Sequence, residues 1–159
     1  MTLNSASVKR LSFSSDWKNT APKLNGQPIK LNQYETSRSL ALFPDAEGQA
    51  ATFVLGTEWL LRAFDRDGQE TWQQLVPGVV WAVNVSQDGR WVVAAYGDGT
   101  IRWYRASDGV EQLAFYPHPD KKRWVLWTPN GYCVFRATWT PIPGEAGHRF
   151  QSKLDSDST

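Results

Sequence analysis

The sequence predicts an all-β fold built from four-stranded antiparallel units, on three observations. First, glycine turns recur at Asn25-Gly26, Asp67-Gly68 and Asp108-Gly109, with glycines 42 and 41 positions apart. Second, a separate ladder of turns at Glu47-Gly48, Asp88-Gly89 and Asn130-Gly131 has the same period, 41 and then 42. Third, the segments between turns are short and rich in β-branched and aromatic residues, which suit a pleated, half-buried surface. A period near 41 residues with four short strands per unit is the signature of a propeller blade. The expected architecture is therefore an incomplete β-propeller, with two full blades and one flanking strand on each side.

Each element follows from its residues. Residues 1–22 show no period and are expected to form an irregular arm. Gly26–Leu31 reads as the last strand of an earlier blade. The first full blade has strands at Ser39–Phe43, Ala51–Leu55, Trp59–Phe64 and Gln69–Leu75. The second has strands at Val79–Ser86, Trp91–Tyr96, Thr100–Arg105 and Glu111–Tyr116. Its turns are Gln87-Asp88-Gly89-Arg90, Gly97-Asp98-Gly99 and Ser107-Asp108-Gly109, where glycine admits a positive φ. Leu61-Arg62-Ala63-Phe64 lies over Ile101-Arg102-Trp103-Tyr104 at a spacing of 40. Arg123–Thr128 reads as the first strand of a later blade, and Tyr132–Arg136 as a further strand. The repeat region thus spans residues 23–135. Pro141-Ile142-Pro143-Gly144 then breaks regular structure, and residues 136–159 are expected to form an irregular or disordered tail.

Composition narrows the function classes. Seventeen basic residues against sixteen acidic give no broad electrostatic footprint for nucleic acid. The single cysteine, Cys133, forms no internal disulfide. The N-terminus carries no secretory apolar run, and no stretch approaches 18 consecutive apolar residues. A soluble cytoplasmic protein without membrane contact is expected.

The candidate chemical groups read as structural. Nine tryptophans invite ligand stacking. Trp81, Trp91, Trp103, Trp124 and Trp127 fall in predicted strands, where aromatics fill the space between blades. His118 lies in a loop between blades and His148 in the tail. Two distant histidines and one cysteine make no zinc spacing. Cys133 has no base nearby in predicted structure and reads as a buried, inert thiol. Lys121-Lys122-Arg123 is the only basic run and reads as a solvated hairpin. Asp88 and Asp98 sit in glycine turns, where such carboxylates bond their own backbone. No nucleophile elbow, phosphate loop or paired-carboxylate arrangement is present. No catalytic, metal or cofactor residues are assigned, no cofactor is expected, and the residues of any binding surface stay unknown.

Phe43-Pro44-Asp45, Ser86-Gln87-Asp88-Gly89 and above all Tyr96-Gly97-Asp98-Gly99-Thr100-Ile101-Arg102-Trp103-Tyr104-Arg105 resemble WD-repeat propellers over roughly residues 25–132. Asp98 matches that family's turn aspartate. Tyr104 and Arg105 stand at the tryptophan and aspartate of its name-giving dipeptide, and Phe64 and Asp65 stand there in the earlier blade. Glu58 replaces the turn aspartate in that blade, and the family's glycine-histidine pair is absent, so the match is a divergent one. Gly78–Tyr132 is similar to bacterial WD-repeat proteins, some of which carry a caspase-like peptidase domain that is not visible here. Phe64-Asp65-Arg66-Asp67-Gly68-Gln69-Glu70-Thr71-Trp72 also resembles the tryptophan-docking repeat of quinone-dependent dehydrogenases. That likeness is one blade long, since position 113 holds leucine.

The WD-repeat resemblance implies a non-catalytic platform that binds protein partners. Two blades alone expose apolar faces at both ends, whereas closed propellers use four to eight. The expected explanation is a fragment or truncated product of a larger propeller protein. Self-association to cover the open blades, and a partial stack covered by its own arm and tail, are the other two arrangements. The enzymatic alternative is the propeller portion of a caspase-like peptidase or quinone-dependent oxidoreductase.

Overall fold

A computed structural model of the chain describes residues 11–44, 50–131 and 133–136. The described residues form β-strands joined by turns, and every strand pair is antiparallel. Strands β3 (Ser39–Pro44), β4 (Ala50–Gly56), β5 (Leu60–Asp65) and β6 (Glu70–Leu75) form a four-stranded meander in sequence order. Strands β7 (Val80–Val85), β8 (Trp91–Tyr96), β9 (Ile101–Arg105) and β10 (Glu111–Pro117) repeat it. The two blades expected from the period are therefore present, close to the expected bounds.

The sheets are stacked face to face with β3 beside β7, so the first strands of successive blades are neighbours. The buried Ser39 hydroxyl donates to the Val80 carbonyl at 2.8 Å, and the Val80 N–H donates to the Thr57 carbonyl at 2.8 Å. Gly56 permits this approach. An added Cβ there would lie 2.4 Å from Ser39 Oγ and 2.5 Å from the Val80 side chain. Between the sheets lies one core of Val54, Leu61, Ala63 and Trp72 from the first blade, with Val80, Val92, Ala94, Tyr96 and Tyr104 from the second. Alternate residues of each strand supply these side chains, as the period-2 geometry of a strand requires.

Trp72 is the inter-blade anchor. Its indole N–H donates to the Ala106 carbonyl at 2.8 Å. Its ring rests on Gly109, where a Cβ would come within 2.5 Å of Cε3 and where φ is +71°. Glycine at 109 therefore serves both the left-handed turn and the seat for the indole.

Two flanking segments differ from expectation. Gly26–Leu31 is not a blade strand: β1 (Lys23–Leu24) and β2 (Gln27–Pro28) form a separate two-stranded hairpin. Asn25 and Gly26 both have positive φ, +50° and +82°, so this Asn-Gly pair closes its own tight hairpin instead of linking blades. Arg123–Thr128 does not open a later blade. Strand β11 (Trp124–Trp127) pairs with β10, and β12 (Cys133–Arg136) pairs with β11, extending the second sheet to six strands. The short turn after His118 is the cause. The His118 N–H donates to the Arg123 carbonyl, Lys121 takes φ +59°, and the chain reverses onto the edge of β10.

The arm is a cover. Residues 11–38 lie over the free face of the first blade, where Leu24 and Ile29 are buried with Phe53, Leu55 and Phe64. Leu11, Phe13, Trp17 and Leu31 pack around that cluster. Phe13 stands edge-on to Phe53 at 5.0 Å, and Phe53 stacks on Phe64 at 4.9 Å. A buried ion pair pins the arm: Arg62 Nη1 donates to Glu35 Oε2 at 2.9 Å, and Arg62 Nε to Glu70 Oε2 at 2.5 Å. Glu35 also accepts the Asn32 N–H at 2.8 Å. The second blade repeats the strand-to-strand part of this pairing as Arg102–Glu111 at 2.9 Å.

Candidate interaction surface

The polar groups that the sequence singled out are in structural service. Asp98 Oδ1 accepts the Thr100 N–H at 2.9 Å and its hydroxyl at 2.7 Å. Asp88 accepts from the Ser86 hydroxyl at 2.5 Å and from the Arg90 N–H at 3.1 Å. These bonds favour the ionised form and hold the Asp88 carboxyl at about 2. Both aspartates thus bond their own turns, as expected. Asp120 caps the β10–β11 turn by accepting the Arg123 and Lys122 N–H groups, which hold its carboxyl well below the usual range. Lys121, Lys122 and Arg123 are exposed in that turn, and His118 is half-buried beside Asp120. Cys133 lies in β12, but its side chain and His148 fall outside the described residues, as does the tail from 137 onward. Among the described residues no three metal-ligating side chains come together, and no helix is long and apolar enough to cross a membrane.

A second polar cluster flanks the inter-blade core. The Tyr96 hydroxyl donates to Tyr104 at 2.8 Å, and the Arg102 guanidinium lies 5.8 Å from the Tyr96 ring and 5.9 Å from the Trp127 ring. Burial disfavours the phenolates. It pushes Tyr104 up to about 12 and Tyr96 further. These phenols are proton-bearing packing groups. An open cleft of about 490 Å³ lies between the arm hairpin and the β5–β6 turn, with Lys30, Arg62, Asp67 and Glu70 on its walls. Arg62 is already engaged there by two carboxylates.

The tryptophans correct the sequence reading. Trp81 is 62% exposed. Trp91, Trp103 and Trp124 are half-buried and belong to neither core cluster. Trp127 lies on the opposite face of its sheet, over Arg102. Trp72 is the tryptophan that the inter-blade core contains among the described residues. Trp91, Val93 and Ala95 alternate with buried Val92, Ala94 and Tyr96, so they face away from the first blade. Register puts Ile101, Trp103, Leu113, Phe115, Trp124 and Leu126 on the same outward side. Phe115 and Trp124 touch, with ring centroids 6.0 Å apart.

This outward face has a counterpart inside the molecule. In the first blade Val54 pairs with Ala63, and Ala63 with Trp72, and these three receive the second blade. In the second blade the same ladder positions hold Val93, Trp103 and Leu113. Leu61 and Ile101 correspond in the same way. On the other side, Phe53 pairs with Phe64 as Val92 pairs with Tyr104. The arm therefore stands where a preceding blade would stand. The outward face of β7–β12 is the face onto which a following blade would pack, and among the described residues no core cluster covers it.

Two stacked four-stranded meanders with adjacent first strands define the class: an all-β, propeller-like repeat fold. No protein family and no curated protein matches the chain. Among solved structures it is similar to BamB from Moraxella catarrhalis, at 18% identity and a TM-score of 0.46. That match covers 69% of this chain and 36% of the other, so the chain spans about a third of that protein's length.

Proposed function

We propose that this protein is a non-catalytic, cytoplasmic protein-binding module whose binding surface is the outward face of β7–β12. One observation carries the reading. The face bears Val93, Ile101, Trp103 and Leu113 at the ladder positions that receive a neighbouring sheet in the first blade, with Trp91 and Phe115 beside them on the same side. Contiguous apolar patches of this kind mark interaction sites, and aromatic anchors dominate binding energy at such sites. The WD-repeat likeness of Tyr96–Arg105 supports the same reading. A second reading rests on the same ladder equivalence: the chain is part of a larger propeller, and a following blade takes that seat in place of a separate partner. Flanking DNA without blade-coding sequence would remove that second reading.

The test is a photo-cross-linking residue at position 103 in the native host, with position 122 in the exposed β10–β11 turn as control. Protein adducts at 103 well above those at 122 are expected. Equal or absent adducts at 103 sink the reading.

A further inference from the structure

We infer that the occupant of this face is a second copy of the same chain, placed about a twofold axis so that the two outward faces meet. The inference rests on the proposed role of that face in binding protein and names the partner.

Head-to-tail stacking is blocked. In the molecule, blade packs on blade through unlike faces: Val54, Leu61, Ala63 and Trp72 against Val80, Val92, Ala94 and Tyr96. A second copy continuing that pattern would have to offer its Phe53–Leu55–Phe64 face. Each copy covers that face with its own residues 11–38 and locks the cover with Glu35–Arg62. The described residues thus leave one sheet face uncovered per chain, and two copies can cover both at once only by pairing like with like. Such an isologous contact closes on itself and does not propagate into a fibre.

Size and charge agree. Six strands of four to seven residues, rising about 3.3 Å per residue and lying about 4.8 Å apart, present roughly 500 Å² in projection. Side-chain relief raises the accessible area toward the roughly 800 Å² per partner of a standard interface. Trp91, Val93, Ala95, Ile101, Trp103, Leu113, Phe115, Trp124 and Leu126 are all uncharged. Of the arginines at its rim, Arg90 is paired with Asp88 at 2.6 Å and Arg105 with Asp108 at 2.6 Å, while register adds Arg136 opposite Trp124 at the β12 edge. A formal net charge of +1 adds almost no repulsion between copies.

Light scattering on the full chain, eluted over a micromolar concentration series, tests this. A closed species of twice the 18.0 kDa chain mass is expected. Trp103→Glu and Ile101→Lys are each expected to shift the mass to the monomer, and Leu75→Glu, an exposed position on the other sheet, to leave the dimer intact. Should the face variants fail to fold, dilution of the unmodified protein decides. Tryptophan emission is expected to move to the red with the same midpoint as the loss of dimer mass. A monomer at all concentrations overturns the inference. An open-ended ladder of oligomers overturns it, and so does a dimer that survives Trp103→Glu. Monomeric mass with persistent cross-links to other proteins at position 103 would refute the dimer alone and leave the protein-binding role standing.

Discussion

Gly109→Ala is the sharpest probe of how the two blades are joined. The residue sits at φ +71°, and its added Cβ would lie 2.5 Å from Trp72 Cε3 and 2.7 Å from Cδ2. An L-residue in left-handed geometry costs about 1–2 kcal/mol. The contact adds to this, because an aromatic ring cannot overlap a methyl group at that separation. Displacing the indole weakens its bond to the Ala106 carbonyl, a net loss of about 1 kcal/mol. It also opens part of the core that Trp72 fills, where complete removal of the side chain costs about 3–5 kcal/mol. The expected total is about 3–5 kcal/mol. Gly89→Ala is the control: φ is +68° with nothing within 4 Å of the added Cβ, so only the backbone cost of about 1–2 kcal/mol applies. The decisive measurement is a double-mutant cycle in urea. Once Trp72→Ala has removed the ring, Gly109→Ala is expected to cost no more than Gly89→Ala, leaving a coupling energy of about 2 kcal/mol. An equal cost of Gly109→Ala with Trp72 and with Ala at position 72 refutes the docking account.

Three further outcomes follow from the same geometry. Arg62→Met leaves the fully buried Glu35 without its cation, at a cost of about 3–5 kcal/mol, and speeds tryptic cleavage of the arm at Lys18, Lys23 and Lys30. Arg62→Met combined with Glu35→Leu recovers most of the loss, and unchanged cleavage in the single variant would refute the pinning. Burial works against the ionised form of Glu58, but the bonds from the Thr36 N–H and from Arg38 outweigh it and hold the carboxyl below its ordinary value. A depressed carboxylate stabilises fully above its ordinary value and less as pH falls through its folded one. With Asp88 lowered from 3.8 to about 2, urea midpoints are expected to decline from about pH 5 toward pH 2. A flat profile over that interval would contradict the assignment. Alkaline absorbance titration is expected to find Tyr96 and Tyr104 still protonated at about pH 11 while the fold persists, with Tyr104→Phe costing about 1 kcal/mol. Ionisation of both near pH 10 would show the pair to be solvated.

Local signals read well where local physics decides. The Asp88 and Asp98 turns were legible because a short carboxylate beside glycine bonds its own backbone. The alternation in Trp91–Tyr96 marked one buried and one outward face, but not which neighbour each face meets. The tryptophans were misplaced for that reason. Trp103 and Trp72 both look like packing residues in a strand, and only the stacking order puts Trp72 between blades and Trp103 outside. The Asn25-Gly26 turn misled in another way. It keeps the period of the blade turns, yet its two positive φ values close a hairpin that serves the arm.

The amino-acid order alone determined the repeat, the two four-stranded blades, their strand bounds and the turn chemistry. Those features depend on residues close in sequence: strand periodicity, glycine at positive φ, and carboxylates capping their own loops. The tertiary structure decided what lies against each face. Residues 11–38 substitute for a preceding blade, because Phe13, Leu24 and Ile29 reach Phe53 and Phe64 across the sheet and Glu35 meets Arg62 from 27 positions away. Strand β11 joins the edge of β10 instead of opening another blade, because a tight turn reverses the chain there. Such outcomes follow from long-range packing competing with local pattern, and among the described residues they leave the outward face of β7–β12 without a covering core cluster.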